Sequence, residues 1–340
     1  MTELAESLSL ERFIARHNDP DDSYHLDEHE VVSCAYQFKN GVRFMNITTP
    51  HMLNNLARAE NCGWQKQAHF DGAFNFCEKE FGIIGIGVNS MGAHFNPVSL
   101  NIVNSESRAA ITSCWDATVQ GFYSLYTTVQ TCNEPDCGFC TQIKENIQGS
   151  HGQHLRKILA TDDVNDSYFH IDKPSSDNSM AFYGFCKATF GDDIPVQQCS
   201  NHVGAIAFKK KSFRKYFDLE DNFLFFHQVV ARIFEAPTLD IQNLLQNRIV
   251  IELHRRGEHR AAAWYEDTWT GEHGNYTNAS AGYCGNRTSA GLESHWRYMR
   301  RDTVGTAGTT RRVSLAVFAP TMVKYVRDTS ESHAAKCLDE

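Results

Sequence analysis

Between residues 66 and 103 the chain first alternates and then saturates with apolar residues. In KQAHFDGAFNF (66–76), Ala68, Phe70, Gly72, Phe74 and Phe76 share one side and Asp71, Ala73 and Asn75 the other, the period-two pattern of a strand. FGIIGIGVN and NPVSLNIVN follow as buried-looking strands, and the Ser-Met-Gly between them suits a turn, which predicts a three-stranded meander. The period then changes: in SRAAITSCWDATVQGFYSLYTTVQ, Ala110, Cys114, Ala117 and Gly121 recur at helical spacing. SYFHI (167–171) reads as a short strand. DNSMAFYGFCKATFG reads as a helix with Asp177 at its N-cap and Gly191 near its end. IPVQQCSNHV reads as a strand and its exit. Residues 205–265 read as almost entirely helical, YEDTWTGEHGNYTNASAGYCGN as loop, and Glu293 to Arg297 as the start of a last helix. Ahead of these, residues 1–30 are polar and acidic and read as a frayed lead-in. Residues 31–46 suggest one or two strands, and a helical patch surrounds His51 to Glu60. The predicted order is three strands, helix, strand, helix, strand, a helical block and a final helix, with no internal repeat.

Composition adds limits. The chain has 340 residues, 41% hydrophobic and 21% charged, room for one large or two moderate cores. A formal net charge of −9 excludes a uniformly basic nucleic-acid binder. The charge is uneven, however: residues 203–312 carry 16 lysines and arginines against 12 acids, so a polyanion would meet the C-terminal third. The first residues lack the basic and apolar regions of a signal peptide, and no run has the length of a membrane span. With 11 cysteines and no secretion signal, reduced thiols or metal ligands are expected in place of a disulfide framework.

Three acids then stand out. Asp71 lies inside a strand, where aspartate is disfavoured and rarely buried without a partner. Asp177 follows a strand and opens a helix. Glu293 opens a helix otherwise rich in arginine, in NRTSAGLESHWRYMRR (286–301). Each has a plain structural explanation alone: a solvated strand face, an N-cap, and an acid at the positive end of a helix dipole. Together, on a first strand, just after a later strand and on a final helix, they resemble the acids of the ribonuclease H-like DDE transposases and integrases.

The resemblance narrows further. Asp177 is followed by Ala181, Phe190 and then Cys199 and His202 as C-x-x-H, and HFDGAFNF precedes a glycine-rich apolar strand. This is similar to the transposase domain of Mutator-like elements, with Ala73 and Asn75 departing from that family's threonine and lysine. Asp172 competes with Asp177 for the second acid; the spacing to Cys199 favours Asp177. The Cys/His-rich module expected before such a domain and the short zinc motif often found after it are missing. The resemblance implies an α/β fold, a ribonuclease H-like mixed sheet with flanking helices, interrupted by an α-helical insertion. Its segments are a flanking lead-in (1–60), a core with the first two acids (61–204), the insertion (205–285), a core helix with the glutamate (286–310) and a C-terminal tail (311–340). It also implies that Asp71, Asp177 and Glu293 hold Mg²⁺ or Mn²⁺. Two such ions about 4 Å apart activate the attacking oxygen and stabilise the leaving one in phosphodiester chemistry. The implied partners are the double-stranded terminal inverted repeats of an element and a second copy of the chain, in the nucleus. The same scaffold domesticated as a catalytically silent DNA-binding regulator is the competing expectation.

Other residues add candidate sites. Cys199 and His202 supply only two of the four ligands that zinc needs, and read as architecture beside the acids. Cys137, Cys140, His151 and His154 (CGFC…HGQH), with Cys132 just before, are ligand types for a structural zinc, although surface cysteines and histidines explain them equally. Lys209, Lys210, Lys211, Arg214 and Lys215 are either a solvated helix face or phosphate contacts. Arg255, Arg256 and Arg260, and Arg297, Arg300 and Arg301 beside Glu293, offer the same. Trp264 and Trp269 suit base stacking or, more simply, the core of the insertion.

Overall fold

The computed structural model describes residues 1–17, 27–38, 41–61, 67–74, 76–77, 81–89, 95–132, 140–141, 171, 173–176, 179–199, 214–270, 292, 296–297, 299 and 312–337. The chain forms two compact units, Met1–Ile171 with Gly291–Glu340, and Asp172–Ala290. Seven strands and nine helices lie among the described residues, an α/β arrangement with antiparallel and parallel pairing.

In the first unit, β3 (Gln67–Ala73), β4 (Gly82–Asn89) and β5 (Phe95–Val103) form the antiparallel meander that the apolar runs predict. β1 (Tyr36–Gln37) and β2 (Phe44–Ile47) extend it, so the strands of this unit run β1-β2-β5-β4-β3, all antiparallel. β3 is shorter than its alternating pattern: Phe76 and Cys77 leave the strand, and Cys77 bridges to Val313. Both faces of β3 are covered, which removes the solvated face expected around Asp71.

One face packs on α4 (Arg108–Thr131). Ser107 caps that helix by accepting from the Ala110 amide, and Ala110, Cys114 and Ala117 are buried as their spacing predicts. Phe70 meets Trp115 edge to face at 5.5 Å. A buried polar set adds direction: Asn46 Nδ2 donates to Asn101 Oδ1 (2.8 Å) and to Thr118 Oγ1 (3.0 Å). The other face carries Met45, Ile47, Ile83, Leu100 and Ile102, packed with Leu292, Trp296, Met299, Phe318 and Met322.

Two segments differ from their expectation. The lead-in holds α1 (Thr2–Ser7) and α2 (Leu10–His17), with Ala5, Leu10 and Phe13 buried; apolar residues one helical turn apart anchor an otherwise polar stretch. The segment from 311 onward, read as a tail, contains a helix over Leu315–Cys337 with Phe318, Ala319, Met322 and Val326 in the core. α3 (Pro50–Asn61) lies where the helical patch was expected.

The second unit opens with β6 (Lys173–Ser176), a helix α5 (Met180–Phe190) and β7 (Gln197–Gln198), which pairs parallel with β6. The strand thus starts after SYFHI; of that stretch only Ile171 is described. Ser179, not Asp177, is the N-cap of α5, and Gly191 ends it at φ 106°, a conformation that suits glycine. The rest is a helical block: α6 (Glu220–Ile233), α7 (Leu239–Arg255) and α8 (His259–Trp269). Numbering in chain order, the C-terminal helix is α9. No helix among the described residues is long and apolar enough to cross a membrane.

Candidate functional site

Asp71 sits at the middle of β3, directly opposite Gly85 of β4. It is 1% exposed. The Trp296 indole N–H donates to its Oδ2 at 2.8 Å, across 225 residues of sequence. Trp296, Leu292, Arg297 and Met299 are each helical. Glu293 lies outside the described residues, but Leu292, beside it in sequence, and Trp296, three positions on, are both buried against the sheet face that carries Asp71.

Gly85 makes this approach feasible. A Cβ there would stand 2.5 Å from Leu292 Cδ2 and 2.7 Å from Trp296 Cη2, far inside van der Waals contact. Gly87 plays the same part for Phe95, whose ring would lie 2.1 Å from a Cβ. Gly85 and Gly87, two positions apart on β4, thus both make room for large side chains on one face. Gly85→Ala is expected to cost about 1–3 kcal/mol by overpacking and to shift the 292–299 stretch away from Asp71. Urea unfolding checks the first, and quenching of Trp296 fluorescence against the wild type checks the second.

His69 shares the Asp71 side of β3 and is fully buried, with its ring 6.0 Å from that of Phe95. Burial pushes its pKa down to about 4, with Asn89 opposing the shift, so the ring is neutral at pH 7 and adds no charge beside Asp71. The sign of the pH dependence follows. Between pH 6.5 and about 4 the unfolded chain takes up a proton that the native ring refuses, so stability falls as pH drops through that window and levels off below it. The expected loss is roughly 3 kcal/mol. Denaturation of wild type and His69→Asn at pH 7 and pH 4.5 should reveal a smaller pH effect in the variant.

The remaining sequence candidates divide. Asp177, Asp172, His202, Cys137, His151, His154, Lys209, Lys210, Lys211, Arg300 and Arg301 lie outside the described residues. Cys132, Cys140 and Cys199 are buried. Asp177 follows Ser176, the last residue of β6, in sequence. Lys173, at the start of that strand, is buried, and burial pushes its pKa down to about 8. Arg214 is engaged locally, its Nε 2.6 Å from Glu220 Oε2, and Lys215 Nζ stands 4.9 Å from the Tyr216 ring centre. Arg255 and Arg256 both bond Glu252, and those bonds hold its carboxyl down to about 2. Exposed ion pairs of the Arg255–Glu252 kind contribute little to stability. Arg297 is exposed. Trp269 is buried and Trp264 stacks on Tyr216 at 5.1 Å, so both serve the core of the helical block.

Sequence reading missed Trp296, although it stands three positions after Glu293, where a helix presents residues on the same side. It also missed His69, two positions before Asp71 on a strand, and so on the same face.

Of the three acids implied to hold Mg²⁺, Asp71 alone is among the described residues. Its carboxylate is the hard oxygen donor that Mg²⁺ takes. A cation reaching Oδ2 would compete with the indole of Trp296. No protein-family model matches the chain, and no curated protein matches it.

Proposed function

We propose that this chain is a Mutator-like DDE transposase domain, cleaving and joining DNA on a ribonuclease H-like core. One observation carries the reading: the hydrogen bond from Trp296 to Asp71. It joins Trp296, three positions after Glu293 in sequence, to the strand of the first acid. The element order supports it too: an antiparallel meander, the helix α4, then a parallel strand–helix–strand with Asp177 directly after β6. Asp71, Asp177 and Glu293 are the residues that would hold Mg²⁺ or Mn²⁺. When bound, such ions supply charge relief at the attacking and leaving oxygens of a phosphodiester. Trp296 orients the Asp71 carboxylate through its indole N–H. Gly85 admits the 292–299 stretch to the sheet, and neutral His69 keeps the surroundings dry and free of a competing cation. The C-terminal third supplies phosphate contacts, with Arg297, Arg300 and Arg301 beside Glu293 and the basic run from Lys209 to Lys215.

A second reading has its own observation. Asp71 is 1% exposed and bonded to an indole, which suits a purely structural carboxylate and therefore a silent, DNA-binding descendant of the same scaffold. The test is nicking of supercoiled duplex DNA by the purified chain. Nicking that requires Mg²⁺ or Mn²⁺ and is lost in Asp71→Asn supports the transposase. Salt-sensitive duplex binding with no nicking in either ion would give the regulator.

A further inference from the structure

A second group of metal-ligand side chains lies elsewhere in the first unit. Glu28, His29 and His51 each offer one ligand atom, and those atoms all lie within 4.8 Å of one another. The backbone holds them ready. The turn at 27–30 closes through the Glu30 amide on the Asp27 carbonyl (2.9 Å), and the His51 amide at the start of α3 donates to the Glu28 carbonyl (2.9 Å).

Both imidazoles already face the Glu28 carboxylate. His51 Nδ1 hydrogen-bonds Glu28 Oε2 at 3.3 Å, and His29 Nε2 stands 3.5 Å from Glu28 Oε1. These contacts lie at the long end for N–H···O bonds. Separations of about 3.4 Å are also those between neighbouring ligand atoms about 2.1 Å from a zinc ion.

The far side of His29 points the same way. Its Nδ1 lies 2.8 Å from Ser330 Oγ on α9, and Ser330 Oγ lies 2.8 Å from Thr49 Oγ1. Thr49 Oγ1 in turn accepts the Met52 amide (3.1 Å). In the tautomer with Nδ1–H donating to Ser330, the Nε2 lone pair of His29 is left for an ion shared with the Glu28 carboxylate. A ligating histidine fixed through its other nitrogen is the usual outer arrangement of a metal site. His51 is nearly closed off, with its side chain 2% exposed. Glu28 and His29 retain 31% and 19%, which leaves a solvent side for a fourth, water ligand.

We propose that Glu28, His29 and His51 bind one Zn²⁺, a borderline ion that takes imidazole and carboxylate together. The ion ties the 27–30 turn to α3, and through Ser330 to α9. The site is independent of the chemistry at Asp71, and Asp71→Asn should keep it. The test is zinc stoichiometry and affinity of the full chain after chelator stripping and reloading, for wild type, His29→Gln/His51→Gln and Ser330→Ala. The double variant should bind one equivalent fewer than wild type. Ser330→Ala, which removes no ligand, should bind that equivalent about 10- to 100-fold more weakly. Reloading with Co²⁺ distinguishes this site from the cysteine segment, because the equivalent lost should carry no thiolate-to-cobalt charge-transfer band. An unchanged stoichiometry in the double variant, or a thiolate band on the lost equivalent, overturns the proposal. If the double variant fails to fold, Ser330→Ala decides: wild-type affinity there overturns it as well.

Discussion

Asp71→Asn is expected to lower metal-dependent DNA nicking by roughly 1,000-fold, the several kcal/mol of charge stabilisation that a held cation supplies. The fold should survive. Asparagine is nearly isosteric, and its Oδ1 can still accept the Trp296 indole N–H that now bonds Asp71 at 2.8 Å. Removing a buried charge also removes a desolvation cost, so stability should hold or rise. Asp71→Ala makes the contrast. It leaves the indole N–H buried without its acceptor, which costs about 1–3 kcal/mol. An active Asp71→Asn protein would remove Asp71 from the chemistry. A chain that never nicks DNA, yet is destabilised by Asp71→Ala, would leave Asp71 as the anchor of the 292–299 stretch and nothing more.

Glu258→Ala should destabilise the second unit by about 4 kcal/mol, from three bonds to one charged acceptor. Glu258 is 1% exposed. Its Oε2 accepts the Asp218 amide (2.7 Å), and its Oε1 accepts the Leu219 amide (3.0 Å) and Asn222 Nδ2 (2.9 Å). Asp218 and Leu219 lead into α6, and Asn222 lies in its first turn. A carboxylate from the residue before α8 therefore fixes the entry to α6 across 36 to 40 residues of sequence. Burial alone would raise its pKa, but the bonds from Asp218, Asn222 and Leu219 outweigh burial, and the pKa is lowered. The sign follows: this stability is present above the ordinary value of 4.5 and is lost as pH falls through the lower, native value. Urea unfolding of Glu258→Ala and Glu258→Gln at pH 7 measures it. A loss below about 1 kcal/mol in the alanine variant would refute this role for Glu258.

The elements were most legible where periodicity was strong and local. β3, β4, β5 and α4 lie close to where their apolar spacing puts them, because alternation and helical spacing each leave one workable arrangement of side chains. The ends were less legible. Leu10 and Phe13 are too few to outweigh the acids around them in a sequence reading, and α9 carries Pro320 inside it, which a sequence reading treats as a stop. Asp177 as N-cap failed by two positions: α5 starts at Met180, after Ser179, with no side-chain cap to mark its start.

The sequence by itself determined the strand and helix periods, the glycine alternation of β4 and the kinds of side chain available for chemistry. These follow from local backbone geometry and composition. Only the tertiary structure decided that Asp71 is buried and not solvated, that Trp296 is its partner, and that Glu28, His29 and His51 meet beside Ser330. Those pairings join positions up to 301 residues apart. Spacing along a chain carries no information about such distances; close packing of two faces of one sheet does.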